Sequence, residues 1–171
     1  GLARVGDEYL VAIDDDQHVG LFPCEGAGPG RALRIVEGAL PTDPAARKRR
    51  KPDFEAVVVL PPMPGITAGA VLVIGSGSTE RRERAVVLAL DPAGRLSGDM
   101  QQRSLGPLYE PIRAEVAELN VEAAIVSAGA LVLVSRANRG QPVNTVARFP
   151  LDQVGRWLAG SDRALSPSIG S

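Results

Sequence analysis

The chain has 171 residues, 44% of them hydrophobic and 23% charged, with 19 basic against 20 acidic side chains and a formal net charge of −1. That composition belongs to a globular chain with a real core, and its charge balance excludes bulk attraction to nucleic acid or anionic lipid. The longest apolar runs, Ala56–Leu60 and Ala130–Val134, fall far short of the roughly 20 residues of a spanning helix, so neither a nucleic acid nor a membrane is expected as a partner.

Aromatic residues make up only 4%, which leaves few stacking platforms. With a single cysteine, Cys24, and a single histidine, His18, there is no internal disulfide and no Cys/His metal cluster. A lone thiol favours a reducing compartment, the cytoplasm over the periplasm. The chain opens within a strand-like segment, which predicts that its native N-terminus lies upstream.

In chain order, Gly1–Gly6 reads as a first strand and Tyr9–Ile13 as a second. Asp14-Asp15-Asp16-Gln17 is a turn, because Asp side chains bond their own backbone and tolerate turn geometry. His18–Phe22 and Gly30–Val36 complete a four-strand unit. Asp43-Pro44 then suits a helix start, a carboxylate capping free N–H groups and proline fitting the first helical position, so a short helix is predicted over 44–50.

A repeat follows. Asp53-Phe54-Glu55-Ala56-Val57-Val58-Val59 matches Asn120-Val121-Glu122-Ala123-Ala124-Ile125-Val126 at an offset of 67 residues. Gly69–Ile74 matches Gly129–Val134, and Ala85–Asp91 loosely matches Thr145–Asp152. At the same offset Asp43-Pro44 lies over Glu110-Pro111. With Ile112, Val116 and Leu119 at helical spacing, that predicts a second linker helix over 111–118.

Short β-branched runs bounded by Gly, Pro, Asp and Ser indicate an all-β fold. Repetition of a four-strand unit selects a β-propeller among such folds. The expected architecture is about three four-stranded blades, near 1–38, 53–103 and 120–158, half of a six-bladed ring with short helices between blades. The remaining blades are expected from the full-length chain. Residues 159–171, rich in Gly, Ser and Pro, are expected to form a flexible tail.

The first strand of a propeller blade lines the central channel, and residues at i and i+2 of a strand point the same way. Asp53 with Glu55, and Asn120 with Glu122, are therefore candidate oxygen ligands for a hard cation such as Ca²⁺ at the channel mouth. The competing reading is that the two glutamates lock blade to blade by accepting hydrogen bonds. In the segments Gly75–Arg84 and Ser135–Gly140, Arg81, Arg84, Arg136 and Asn138 are candidate contacts for a small anionic ligand. The P-loop ending Gly-Lys-Ser/Thr is absent, and so is a Gly-x-Ser-x-Gly nucleophile elbow. No catalytic residue is assigned. Arg47-Lys48-Arg49-Arg50-Lys51 reads as a solvated helix face.

Pro52-Asp53-Phe54-Glu55-Ala56, Leu119-Asn120-Val121-Glu122-Ala123, Gly75-Ser76-Gly77-Ser78 and Ser135-Arg136-Ala137-Asn138 together resemble bacterial propellers related to the phytase-like and SdiA-regulated families, an uncharacterised branch of them. The resemblance implies a six-bladed ring, an Asp-x-Glu-Gly/Ala signature on inner strands, calcium in or near the channel, and phosphoester hydrolysis in some members. The signature falls on Asp53, Glu55, Asn120 and Glu122, with Ala56 and Ala123 where many members have Gly and Asn120 where many have Asp. Three functions are expected from different classes: a small-ligand or Ca²⁺-binding scaffold, a metal-assisted phosphoesterase, and a protein-interaction platform.

Overall fold

The computed structural model describes residues 1–26, 28–140, 142–161 and 163–171. The fold is all-β, built as three antiparallel four-stranded sheets in sequence, each a simple up-and-down meander. The first sheet holds β1 (Leu2–Val5), β2 (Glu8–Ala12), β3 (His18–Pro23) and β4 (Arg31–Arg34). The second holds β5 (Phe54–Leu60), β6 (Ala70–Gly75), β7 (Arg84–Leu90) and β8 (Leu96–Ser104). The third holds β9 (Val121–Ser127), β10 (Ala130–Ser135), β11 (Thr145–Pro150) and β12 (Ser168–Gly170). The first strands are neighbours, β1 beside β5 and β5 beside β9.

The second sheet is the filling of a sandwich. Val57, Val71, Val73, Val86 and Leu88 pack with Val5, Leu10, Val19 and Leu21 of the first sheet. Ala56, Val58, Leu72, Ile74 and Val87 pack with Val121, Leu131, Leu133, Ala147 and Phe149 of the third. This explains why all six residues of β6 are buried and apolar rather than alternating. The outer faces of the first and third sheets have no such cover. Phe22 is 46% exposed and Tyr9 39% on one, and Ile125 is 55% exposed on the other.

Helix α1 (Pro44–Arg50) forms where the sequence predicts it. The Asp43 carboxylate accepts from the Ala46 N–H at 2.8 Å, and Pro44 occupies the first turn. The second linker helix is displaced from its expected place: α2 runs Gly106–Arg113, with Pro111 inside it rather than at its start. Pro107 supplies the first-turn proline, and the Ser104 hydroxyl accepts from the Gly106 N–H at 3.1 Å. Leu108, Tyr109 and Ile112 hold α2 on the core. An interior proline leaves the carbonyl four residues back without a donor. Here that is the Pro107 carbonyl, and it accepts from the Leu165 N–H at 2.9 Å.

That contact belongs to a docked C-terminal segment, where a loose tail is expected from composition. Leu165 is buried, Gln153 Oε1 accepts from the Ser166 N–H, and β12 is the fourth strand of the third sheet. An amphipathic helix not anticipated from the sequence, α3 (Leu151–Leu158), stands between β11 and β12 and buries Val154, Trp157 and Leu158. No helix among the described residues is long and apolar enough to cross a membrane.

Candidate functional site: an acidic corner at the ends of the first strands

In both β5 and β9 the pairing skips the glutamate of the repeat. On β5 it passes from Phe54↔Gly75 to Ala56↔Ile74, and on β9 from Val121↔Ser135 to Ala123↔Val134. Glu55 and Glu122 are thus the extra residues of two equivalent β-bulges. A bulge breaks the period-two alternation and re-aims the side chain. Its effect is visible in the packing: Phe54 and Ala56, two residues apart, enter opposite cores. The freed glutamates project at the corner where the sheets meet.

Backbone bonds hold this corner. The Asp53 N–H donates to the Asp14 carbonyl at 3.0 Å, and the Val121 N–H donates to the Ser76 carbonyl at 2.8 Å, each crossing from one sheet to the next. Within the sheets, the Ser76 N–H donates to the Asp53 carbonyl and the Arg136 N–H to the Asn120 carbonyl, the same bond in each repeat.

Asp53 is buried and sits at φ 59°, a left-handed conformation that Asp tolerates better than most residues. Burial alone would push its carboxyl up. The Ser76 hydroxyl, donating at 2.6 Å, and the cations of Lys51 (2.9 Å) and Arg82 (3.0 Å) more than offset this and hold it below the usual carboxylate range. Lys51 sits at the centre of a carboxylate triad: its ammonium also reaches Asp14 and Asp15, each at 2.7 Å. Desolvation opposes the charge on Lys51, but three carboxylates outweigh it and raise its pKa.

Glu55 is different. Its nearest charges are mostly like its own, and one oxygen each of Asp14, Asp53 and Glu55 lie within 4.8 Å of one another. Burial raises its pKa, and the fields of Glu122, Asp53 and Asp14 raise it further. No hydrogen bond or ion pair holds the Glu55 side chain among the described residues. Glu122 accepts from the Asn120 amide at 2.7 Å and pairs with Arg136 at 3.0 Å.

The structure therefore gathers Asp53 and Glu55 with Asp14, and sets Glu122, bonded to Asn120, near enough for its field to act on Glu55. Sequence reasoning missed Asp14, Lys51, Ser76 and Arg82, which shape the charge of this corner. The four expected anion contacts fall in separate settings. Arg136 faces Glu122, and the Arg84 guanidinium donates to the Arg81 carbonyl at 3.1 Å. The Asn138 side chain accepts from the Gly140 N–H at 2.9 Å, while Arg81 stands exposed beside α1. His18 pairs with Asp16 at 2.7 Å in the Asp14–Asp16 turn.

Fold and corner together define a class: an all-β repeat protein whose bulged first strands gather carboxylates at one end. More particularly, the chain belongs to a family of unknown function, DUF6929, whose model matches residues 1–169. No curated protein matches, and no solved structure does.

Proposed function

We propose that the three sheets are consecutive blades of a six-bladed β-propeller, and that the corner formed by Glu55, Glu122 and Asn120 binds a cation, Ca²⁺ first among them, at the mouth of the central channel. The adjacency of β1, β5 and β9 supports the ring, because first strands of neighbouring blades converge on the axis. So do the uncovered apolar faces of the first and third sheets, which carry the strand pattern that packs twice inside the molecule. Further blades of the same chain would cover them.

The observation that carries the cation reading is Glu55: a half-buried carboxylate among like charges, with no partner among the described residues. Hard cations take such oxygens readily. Asp53 is the weaker candidate, since the two cations of Lys51 and Arg82 neutralise it; Glu122 has a single ion pair, to the more exposed Arg136, and the ligand set we favour is Glu55, Glu122 and the Asn120 amide oxygen. Calorimetry and thermal melts with CaCl₂ on the full chain test the proposal. Binding with a rise in midpoint, lost in Glu55→Gln, is expected; no heat and no shift at millimolar Ca²⁺ would reject it.

A second reading, a metal-assisted phosphoesterase, draws on Arg136 beside Glu122, a guanidinium able to offset charge on a phosphoryl group near a bound metal. Turnover of phosphate esters that is abolished by Glu122→Gln supports it; unaffected turnover removes Glu122 from the chemistry.

A further inference from the structure

We propose that the groove between α1 and the 3-10 turn Glu80–Arg82 is a separate binding site for a multiply charged oxyanion of the oligophosphate class. Lys48 and Arg49 line one wall, and Thr79, Arg81 and Arg82 the other. It has the opposite charge to the acidic corner and does not depend on a cation there.

The basic run 47–51 divides by helical position. Arg47 and Lys51, one turn apart, face inward: Arg47 donates to the Asp15 carbonyl at 2.6 Å, and Lys51 enters the aspartate triad. Lys48 and Arg49 are left outside, exposed, and their side chains have no hydrogen-bond or ion-pair partner among the described residues. The Arg81 side chain is in the same condition across the groove. Glu80 is the one acidic residue of the lining, against three unpaired cations. Solvated charge runs are commonly balanced by neighbouring acids; here, among the described residues, Arg47 and Lys51 are balanced and Lys48 and Arg49 are not. The chain as a whole carries −1, so any affinity for anions must arise locally.

The walls are also fixed in relation to each other. Arg82 donates to the Lys48 carbonyl at 3.2 Å and to Ser78 Oγ at 2.8 Å while pairing with Asp53. It works as a brace rather than as a free cation. Two guanidinium groups and an ammonium on braced elements, with Thr79 also in the lining, suit several phosphate oxygens at once. A monoanion would meet only part of the set.

Calorimetry of the full chain with inorganic triphosphate, free of divalent metal and at constant ionic strength, tests the site. One-to-one binding is expected, weakened about tenfold or more by Arg81→Gln and by Lys48→Gln. Arg163→Gln, a change of equal charge at an exposed residue beside α3, should leave it unaltered. These exposed, unpartnered side chains can be replaced with the thermal midpoint kept, so lost affinity reads the site and not the fold. Absence of binding, or equal loss in Arg163→Gln, overturns the proposal. Citrate binding as tightly as triphosphate overturns the assignment to phosphate.

Discussion

The second and third sheets begin in the same way and diverge in what they do with charge. Both open on a bulged glutamate, and both close the bulge with a backbone bond from the residue after the second strand. In the second sheet the residue two before the glutamate is Asp53, buried, left-handed and clasped by Lys51 and Arg82. In the third it is Asn120, half-buried and uncharged, and the position matching Lys51 is Glu118. Backbone geometry is the repeated element. Electrostatics are written separately into each copy, with an inter-sheet ion network in one and a local Glu122–Arg136 pair in the other.

The sharpest way to break this contrast is to delete each corner residue. Asp53→Ala leaves the Arg82 guanidinium without its carboxylate and removes one of the three around Lys51, and should cost about 3 kcal/mol, read by chemical denaturation. Asn120→Ala should cost about 1 kcal/mol; equal costs would refute the asymmetry. Because the Asp53 pKa is lowered by folding, its contribution is fully present above the unfolded carboxyl value of 3.8 and disappears as pH falls through the lower folded value. The Asp53→Ala penalty should therefore shrink in strong acid.

Next in size is Gly77, whose counterpart in the third sheet is Ala137. Gly77 has φ +70°, and a Cβ there would collide with the Tyr109 ring. Tyr109 is fully buried and its hydroxyl donates to the Gly75 carbonyl. Gly77→Ala should lose about 2–3 kcal/mol by denaturation, whereas Ala137→Gly should change stability by less than about 1 kcal/mol.

Asn120→Asp sharpens the comparison from the other side. It adds a carboxylate beside Glu122 without a lysine to receive it, and should cost about 1 kcal/mol at low salt. If the corner takes Ca²⁺, the ion should restore the loss. The smallest expected effect is a gain. The Glu55 pKa is raised by folding, so its penalty is absent below the unfolded value of 4.5 and grows as pH rises toward the folded value. Glu55→Gln should raise the thermal midpoint at neutral pH by a few degrees at most, roughly, and flatten the pH dependence in that window. A fall in midpoint at neutral pH would mean that Glu55 makes a favourable contact.

Much of this could be read in the sequence because it is local or repeated. The 67-residue offset between Glu55 and Glu122 placed the equivalent strands, and Asp43-Pro44 placed α1 almost to the residue. The bulges left no signature, since one skipped residue in a ladder depends on the partner strand. The Lys51 triad was hidden because Asp14 lies 37 residues away in the chain. Helix α2 lies ahead of the span that Glu110-Pro111 and the 67-residue offset predict, because Pro107 takes the first turn and Leu108 and Tyr109 pack into the core. Helix α3 has a signal in Leu151, Val154, Trp157 and Leu158, which lies inside the segment 120–158 expected as a four-stranded blade.

The bond from Leu165 to the Pro107 carbonyl has a consequence for how the molecule is put together. Pro111 cannot close its own turn, so the helix joining the second sheet to the third borrows its missing donor from a segment synthesised after the whole of β9, β10 and β11. The joint is latched last. A chain cut short of that latch keeps every strand of its first two sheets yet leaves a buried carbonyl unanswered at their connection to the third, and hydrogen exchange along α2 is where the missing piece would first register.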